Sequence, residues 1–402
     1  MKRKKLNFLW IISILLILVV SLLIFQKGSS QTEKIKVEGI ENFDLSLLTD
    51  VESEYLLFYP ADPRIEQKNT FIKTVNETGK VIEEFEVIDS DFRRMFIHQK
   101  PNDVDNLYIS LFGENRIENY YYLFDLAHLK FNKVNLSYFG YDVGVNHIEH
   151  FGEDVLFETI VSHKTGDQNY KPETSEFNVS ISNSTTEKSF ETEYGFSPKW
   201  APLLDFQGKI IYGIAGRVNN DGNYNNAGVG IIDLKKDQVV YEDFDQNNMD
   251  LFPIYSNNDN AFIMGENGDL YVYDKNFSYQ VTKPFKDLPP QDNYYIEGEG
   301  YILLEEDKAL YGVFSEDEGF TLGLLKFETV PSFQPLDKEY IKDSHNYKIL
   351  YHNPEVDEIY LLEVGDEENL LVIENGTFNL KSKIPVESSH LLDFVLKVPK
   401  HH

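Results

Sequence analysis

Two stretches, and the acid content of the whole chain, carry residue types that could do chemistry. In "RVNNDGNYNNAG" (217–228), Asn219, Asp221 and Asn223 stand at the alternating spacing of an oxygen-rich calcium loop. Such a loop needs glycine at its sixth position and glutamate at its twelfth, whereas here Gly222 is fourth and Gly230 twelfth. A polar hairpin tip is expected, with weak calcium binding as the metal alternative. "VNHIEHFGED" (145–154) holds His147, Glu149 and His150. On a strand the first two share a face and His150 points the other way, so the three do not converge on zinc without a bulge. If this is the innermost strand of a sheet, His147 and Glu149 are candidates to line a central channel. The third source is the acids themselves, 67 Asp and Glu in 402 residues. A glycosidase needs two carboxylates about 5–9.5 Å apart, and with so many acids spacing selects no pair.

Other chemistries lack their residues. No G-x-S-x-G elbow is present, which excludes the propeller peptidases with an appended hydrolase domain in their usual form. Beyond residue 25 the only arginines are Arg64, Arg93, Arg94, Arg116 and Arg217, few for a site that grips a substrate carboxylate.

The elements that would position any of these residues are strands. After residue 25 helical periodicity is nearly absent, and short runs rich in β-branched and aromatic residues alternate with Gly, Asn and Asp turns. Paired runs joined by a polar turn recur at 70–87, 120–136, 177–192, 228–244, 269–285, 309–327 and 369–384. Most are preceded by a shorter apolar run, such as "EYLLFYP", "KIIYGIAG" or "EIYLLEV". Repeats of roughly 40–60 residues, each a small antiparallel sheet, are the sequence form of a propeller. One sheet cannot cover both of its faces, and radial stacking covers them while leaving short edges.

The expected fold is therefore all-β, a single β-propeller of seven four-stranded blades; six or eight blades also fit, because 327–346 reads as a long loop or a poorly matching strand. A pair of β-sandwiches is the rival. "EKIKVEG" (33–39) and "LLDFVLKV" (391–398) are expected to complete one shared blade and close the ring.

Two motifs resemble known propeller repeats. "SPKWAPLLDFQGKIIYGIAG" (197–216), with Pro198, Trp200, Pro202, Gly208, Lys209, Ile211 and Tyr212, resembles the P-x-W-S-P-D-G repeat of TolB-type propellers. Pro253, Tyr255 and Ser256 open a second copy with Tyr in place of Trp. Trp200 and Tyr255 are candidate ligand-face aromatics, though the blade-entry position favours packing. Ser315, Asp317, Gly319 and Thr321 in "SEDEGFTL" resemble the Asp-box of sialidases and other propellers. The resemblance implies a structural turn between the two outer strands of a blade. The usual Trp is Leu322, and Arg93-Arg94 lacks the Ile-Pro of the sialidase arginine motif.

Location is read from the start of the chain. Residues 6–25 form an uncharged apolar run behind Lys2, Arg3, Lys4 and Lys5. At 1.5 Å per residue such a run spans about 30 Å of bilayer. The expected organisation is a cytoplasmic tail (1–5), a transmembrane signal anchor (6–25), a linker (26–35) and an extracytoplasmic propeller (36–398). A cleaved signal peptide is the alternative. An exported chain of this size without cysteine is read as a protein of a bacterial cytoplasmic membrane, facing outward. Its six N-x-S/T sequons are then products of turn composition.

The net charge is -30, which repels nucleic acid and anionic headgroups, so no nucleic-acid partner is expected. The function expected is that of a membrane-anchored binding or scaffold protein for a protein or glycan, without a cofactor. The alternative is an extracytoplasmic hydrolase or lyase acting on glycans or phosphoesters, dependent on calcium or not.

Overall fold

The computed structural model describes residues 34–61, 67–88, 94–98, 105–112, 120–135, 144–151, 154–162, 175–182, 187–192, 203–214, 217–218, 224–225, 227–243, 251–288, 294–295, 300–305, 307–315, 319–342, 345–365, 367–387 and 390–399. The expected anchor at 6–25 lies outside the described residues. Among the described residues no helix is long and apolar enough to cross a membrane.

Successive strands build successive antiparallel sheets. Sheet A holds β1 (Lys34–Glu38), β2 (Tyr55–Tyr59), β3 (Thr70–Val75) and β4 (Val81–Ile88). Sheet B holds β5 (Arg94–His98), β6 (Asn106–Phe112), β7 (Tyr120–Asp125) and β8 (Lys130–Asn135). Sheet C holds β9 (Gly144–Phe151), β10 (Asp154–Ser162), β11 (Ser175–Ser182) and β12 (Glu187–Thr192). In sheet D, β13 (Leu204–Phe206) and β14 (Lys209–Ile214) are followed by a ribbon of β15 (Arg217–Val218) and β16 (Tyr224–Asn225). That sheet is completed by β17 (Gly228–Asp233) and β18 (Gln238–Asp243). Sheet E holds β19 (Leu251–Ser256), β20 (Ala261–Gly265), β21 (Leu270–Tyr273) and β22 (Tyr279–Thr282). Sheet F holds β23 (Tyr294–Tyr295), β24 (Tyr301–Glu305), β25 (Lys308–Ser315), β26 (Gly319–Lys326) and β27 (Ser332–Pro335). Sheet G holds β28 (Asn346–Asn353), β29 (Glu358–Val364), β30 (Asn369–Glu374) and β31 (Leu380–Pro385). The last strand, β32 (Phe394–Lys397), returns to pair with β2.

The period of two along each strand decides which neighbour each side chain meets. On β20, Phe262 and Met264 face a core shared with sheet F, while Ala261 and Ile263 face one shared with sheet D. On β29, Ile359 and Leu361 pack toward sheet F, while Tyr360 and Leu362 join the core shared with sheets A and B. Both faces of a sheet are thus apolar and both are covered, as radial stacking requires. The described cores link sheets B, A, G, F, E and D in one unbroken succession.

The all-β propeller expectation holds at this level. The expectation of seven packed blades is corrected to six whose packing is described. Sheet C is paired in register and lies beside sheet B through β9, but Ile148 is its one side chain with a described environment.

Both ends of the chain meet in sheet A, as the sequence led us to expect. β32 forms one edge against β2, and β1 adds a parallel fifth strand on the opposite edge against β4. The Asp-box position needs correction. Residues 315–322 connect β25 and β26, the second and third strands of sheet F, rather than two outer strands. The reason is β27, which pairs with β26 from Lys326–Ser332 to Gly323–Pro335. It lies in the segment the sequence left between loop and strand, because four residues ending in Pro give little strand signal.

The two ends of the sheets differ. One end is built from tight turns with residues in the left-handed region, among them Leu129, Gln207, Asp237, Phe277, Asp357 and Phe378. An acid or amide opens several of these turns and accepts main-chain hydrogen bonds: Asp233 from Lys235 and Lys236, Asp274 from Asn276 and Ser278, Asn76 from Thr78 and Lys80. The opposite end carries the longer connections, including 60–69, 113–119, 163–174, 193–203, 215–227 and 336–345.

Candidate functional site

At the long-connection end, between sheets A and G, charged and aromatic side chains converge. Lys73 on β3 is only 5% exposed and is paired with Glu387, while Glu84 Oε1 lies 3.6 Å from its Nζ. Lys34 reaches the same Glu84 oxygen at 3.1 Å. The Lys73 ammonium also lies 5.5 Å from the centre of the Tyr59 ring. Burial, then the Glu387 carboxylate, pushes the Tyr59 phenol well above its usual value, although the Glu387 amide donates to it. His390 stacks on Phe71 at 4.8 Å, with Tyr59 edge-on at 6.2 Å. Glu368 has a buried Oε2 without a hydrogen-bond partner, and burial raises its carboxyl.

Two further hubs are built on buried glutamates of β29. Glu363 has a fully buried side chain, bonded to Lys383 at 2.5 Å, His345 Nδ1 at 2.9 Å and Asn369 at 2.9 Å, with Lys342 at 3.7 Å. Burial opposes its charge, but the Lys383 and His345 hydrogen bonds hold the carboxyl below its usual value. Glu358, at the tight-turn end, takes Lys381 at 2.5 Å, Lys397 at 3.2 Å and the Tyr360 hydroxyl at 3.1 Å. Beside it, burial and then the Glu358 charge push Tyr55 up to about 12.

These arrangements bind strands and connections together. Glu84, Glu358 and Glu363 are each neutralised from at least one neighbouring strand or loop, as a buried charge requires. Glu368 is the one raised acid in the A/G cluster. Among the described residues no group of three His, Asp or Glu side chains could hold a metal ion.

Of the candidate site residues singled out in the sequence, those among the described residues lie on three different sheets. His147 and Glu149 lie on β9, an edge strand of sheet C, opposite Glu158 and Leu156 of β10. Asn219, Asp221 and Asn223 lie outside the described residues, between the paired strands β15 and β16. Trp200 also lies outside them, as do Pro198 and Pro202. Tyr255 stacks on Phe327 of sheet F at 4.6 Å and on Phe262 at 5.9 Å, so its ring packs between two sheets. Ser315 is buried opposite Gly319, whose φ of 81° is the left-handed conformation the motif's glycine supplies, and Thr321 faces Val313. Asp317 lies outside the described residues. The stretches 197–216 and 252–274 do touch: Ser256 donates to the Asp205 carbonyl at 2.6 Å, and Gln207 to that of Asn258 at 2.7 Å.

Sequence reasoning missed the glutamate hubs. Their signal was an acid embedded in an apolar run, as in "EIYLLEV", with alternating lysines in the outer strand "LKSKIP".

No family model matches the chain, and no curated protein matches it in sequence. Among solved structures, apo AztD from Citrobacter koseri is similar at 9% identity and a TM-score of 0.43, over 86% of this chain and 98% of that one. Dihydro-heme d1 dehydrogenase NirN, in complex with DHE, is similar at 11% identity and a TM-score of 0.44, over 89% and 79%. A post-proline cleaving enzyme from Rickettsia typhi is similar at 10% identity and a TM-score of 0.47, over 86% of this chain and 54% of that chain, about half its length. All three are β-propeller folds; at these identities and TM-scores the likeness carries no conclusion about ligand or activity.

Proposed function

We propose that the chain is a membrane-anchored, extracytoplasmic β-propeller that binds a protein or glycan partner at a bacterial cell surface. The observation that carries this reading is the asymmetry of its two ends. Tight turns close one end, and the longer connections gather at the other, where variable binding surfaces are built on a rigid scaffold. The direction of β1 fits the same orientation. It runs parallel to β4, from Lys34 opposite Glu84 to Glu38 opposite Ile88, hence toward the long-connection end. A chain arriving from a membrane span at 6–25 therefore enters from the tight-turn side and leaves the long connections facing outward. The neutralised glutamate hubs support binding over catalysis, and the reading requires no resident cofactor.

The test replaces residues 163–174, which join β10 to β11, by Gly-Ser-Gly-Ser in the detergent-solubilised full-length protein. A co-purifying protein or glycan should fall at least roughly tenfold, equivalent to about 1.4 kcal/mol, with the melting temperature unchanged. Undiminished co-purification with every long connection shortened in turn would contradict the reading.

A further inference from the structure

Each junction between neighbouring sheets opens outward as a wedge, and most described wedges are closed. Between A and B, residues 40–48 insert Ile40 and Phe43, with Phe43 edge-on to Phe58 and Phe85. Between E and F, Phe285 and Leu288 close the gap, Phe285 lying 4.9 Å from Phe333. Between F and G, Leu336, Tyr340 and Ile341 cover the core, and the Tyr340 hydroxyl donates to the Phe378 carbonyl at 2.8 Å. Between A and G, the Lys73 cluster and His390 do so.

The D/E wedge differs. Val240 of β18 lies beyond Ile231, on the face toward sheet E, and is 48% exposed. Across from it, Tyr279 and Val281 of β22 lie beyond Tyr273 and Tyr271, on the face toward sheet D, 40% and 46% exposed. Glu242 shares the Val240 face and accepts the Tyr273 hydroxyl at 2.9 Å. Toward the tight turns, Lys209 is already placed 3.9 Å over the Phe277 ring. Three apolar side chains from two facing strands thus line one groove whose wall carries a carboxylate. β22 is also an outer edge strand without a charged residue, unlike β31, which carries Lys381 and Lys383.

We propose that the D/E groove is a docking site for a short segment of a partner protein bearing two apolar side chains and a basic residue. The other wedges define the apolar part: Ile40 with Phe43, and Phe285 with Leu288, are pairs three residues apart that fill equivalent space. Glu242 and the strongly negative chain define the base, because an apolar insert carrying Lys or Arg meets complementary charge there. The groove is separate from the long-connection end, so it can be tested independently of the 163–174 replacement.

The test places the photoreactive residue p-benzoylphenylalanine at Val240, and separately at Val281, in the full-length protein in its own cells. Mass spectrometry then identifies the adducts. The expected result is an adduct to another polypeptide, at a segment with two apolar residues three or four apart and a Lys or Arg between or beside them. Its yield should fall at least roughly tenfold in Glu242→Lys, and less in Glu242→Gln, which keeps an acceptor for Tyr273. The proposal is overturned if the adducts form with residues 244–250 of the same chain, with a second copy or with lipid. It is equally overturned if their yield does not exceed that from Val330, an exposed position at the tight-turn end.

Discussion

Leu56 of β2 lies opposite Leu396 of β32, so residues from the two ends of the chain are direct partners in one sheet. Both are buried, and the Phe58 and Phe394 rings, two residues further along, meet tilted at 5.5 Å. The junction of chain ends is therefore part of the core.

Truncation after Asp393 removes β32 and uncovers Leu56 and Phe58. Such a chain should lose its cooperative unfolding transition. Leu396→Ala should retain the transition with a loss of about 2–5 kcal/mol in chemical denaturation, the range for a buried leucine. A truncated protein that unfolds like the intact one would show that the sheet closes without this strand.

Glu363→Ala leaves the partly exposed Lys383 and His345 without their carboxylate, and should cost about 1.5–3 kcal/mol. The pH dependence follows from the lowered folded value. The hub contributes fully above the ordinary glutamate value of 4.5, and its contribution disappears as pH falls through the lower folded value. Urea denaturation of wild type and variant should therefore give curves that converge below pH 4.5. A constant difference down to pH 2 would contradict the assignment.

His352 behaves in the opposite range. Burial lowers its value below 6.5, only partly offset by Asp357, so the unfolded chain takes up the proton first. Its effect is absent above pH 6.5 and lowers stability as pH falls from 6.5 toward the folded value. His352→Gln should flatten that part of the stability profile. An unchanged slope would mean that other groups produce it.

Gly213 and Gly208 separate two uses of glycine near the D/E junction. A Cβ on Gly213 would stand 2.1 Å from the Leu251 carbonyl oxygen, a clash with backbone of the next sheet. At Gly208 nothing lies within 4 Å, and only its φ of +71° opposes a side chain. Gly213→Ala should therefore cost about 3 kcal/mol or more, and Gly208→Ala about 1–2 kcal/mol, in thermal denaturation. The reverse order would mean that sheets D and E are not packed backbone to backbone there.

The residues that announced the fold were local. Asp125 and Asp233 end their strands, Asp274 directly follows one, and all three, by accepting turn amides, mark hairpins that spacing alone made visible. The shared sheet of the two chain ends was legible because "EKIKVEG" and "LLDFVLKV" were strand-like segments left over from the repeats. Ser332–Pro335 was missed because a short, exposed edge strand with Pro has almost no pattern. Missing it shifted the parse of sheet F by one strand and put the Asp-box turn one position too far out. The Glu363 hub was beyond reach for another reason. Lys342 and His345 come from the connection before β28, Asn369 from β30 and Lys383 from β31, and only the folded sheets bring them to one carboxylate.

The central claim is a propeller held outside the membrane with its long connections facing away from it. The chain contains no cysteine, so single-cysteine variants at Glu367, between β29 and β30, and at Lys275, in the tight turn before β22, report the two ends cleanly. Labelling rates with a membrane-impermeant polyethylene glycol maleimide are measured in intact cells and in detergent. The account predicts labelling of both in intact cells, faster at Glu367 than at Lys275 relative to their rates in detergent. Labelling only after lysis, or faster labelling at Lys275, would contradict it.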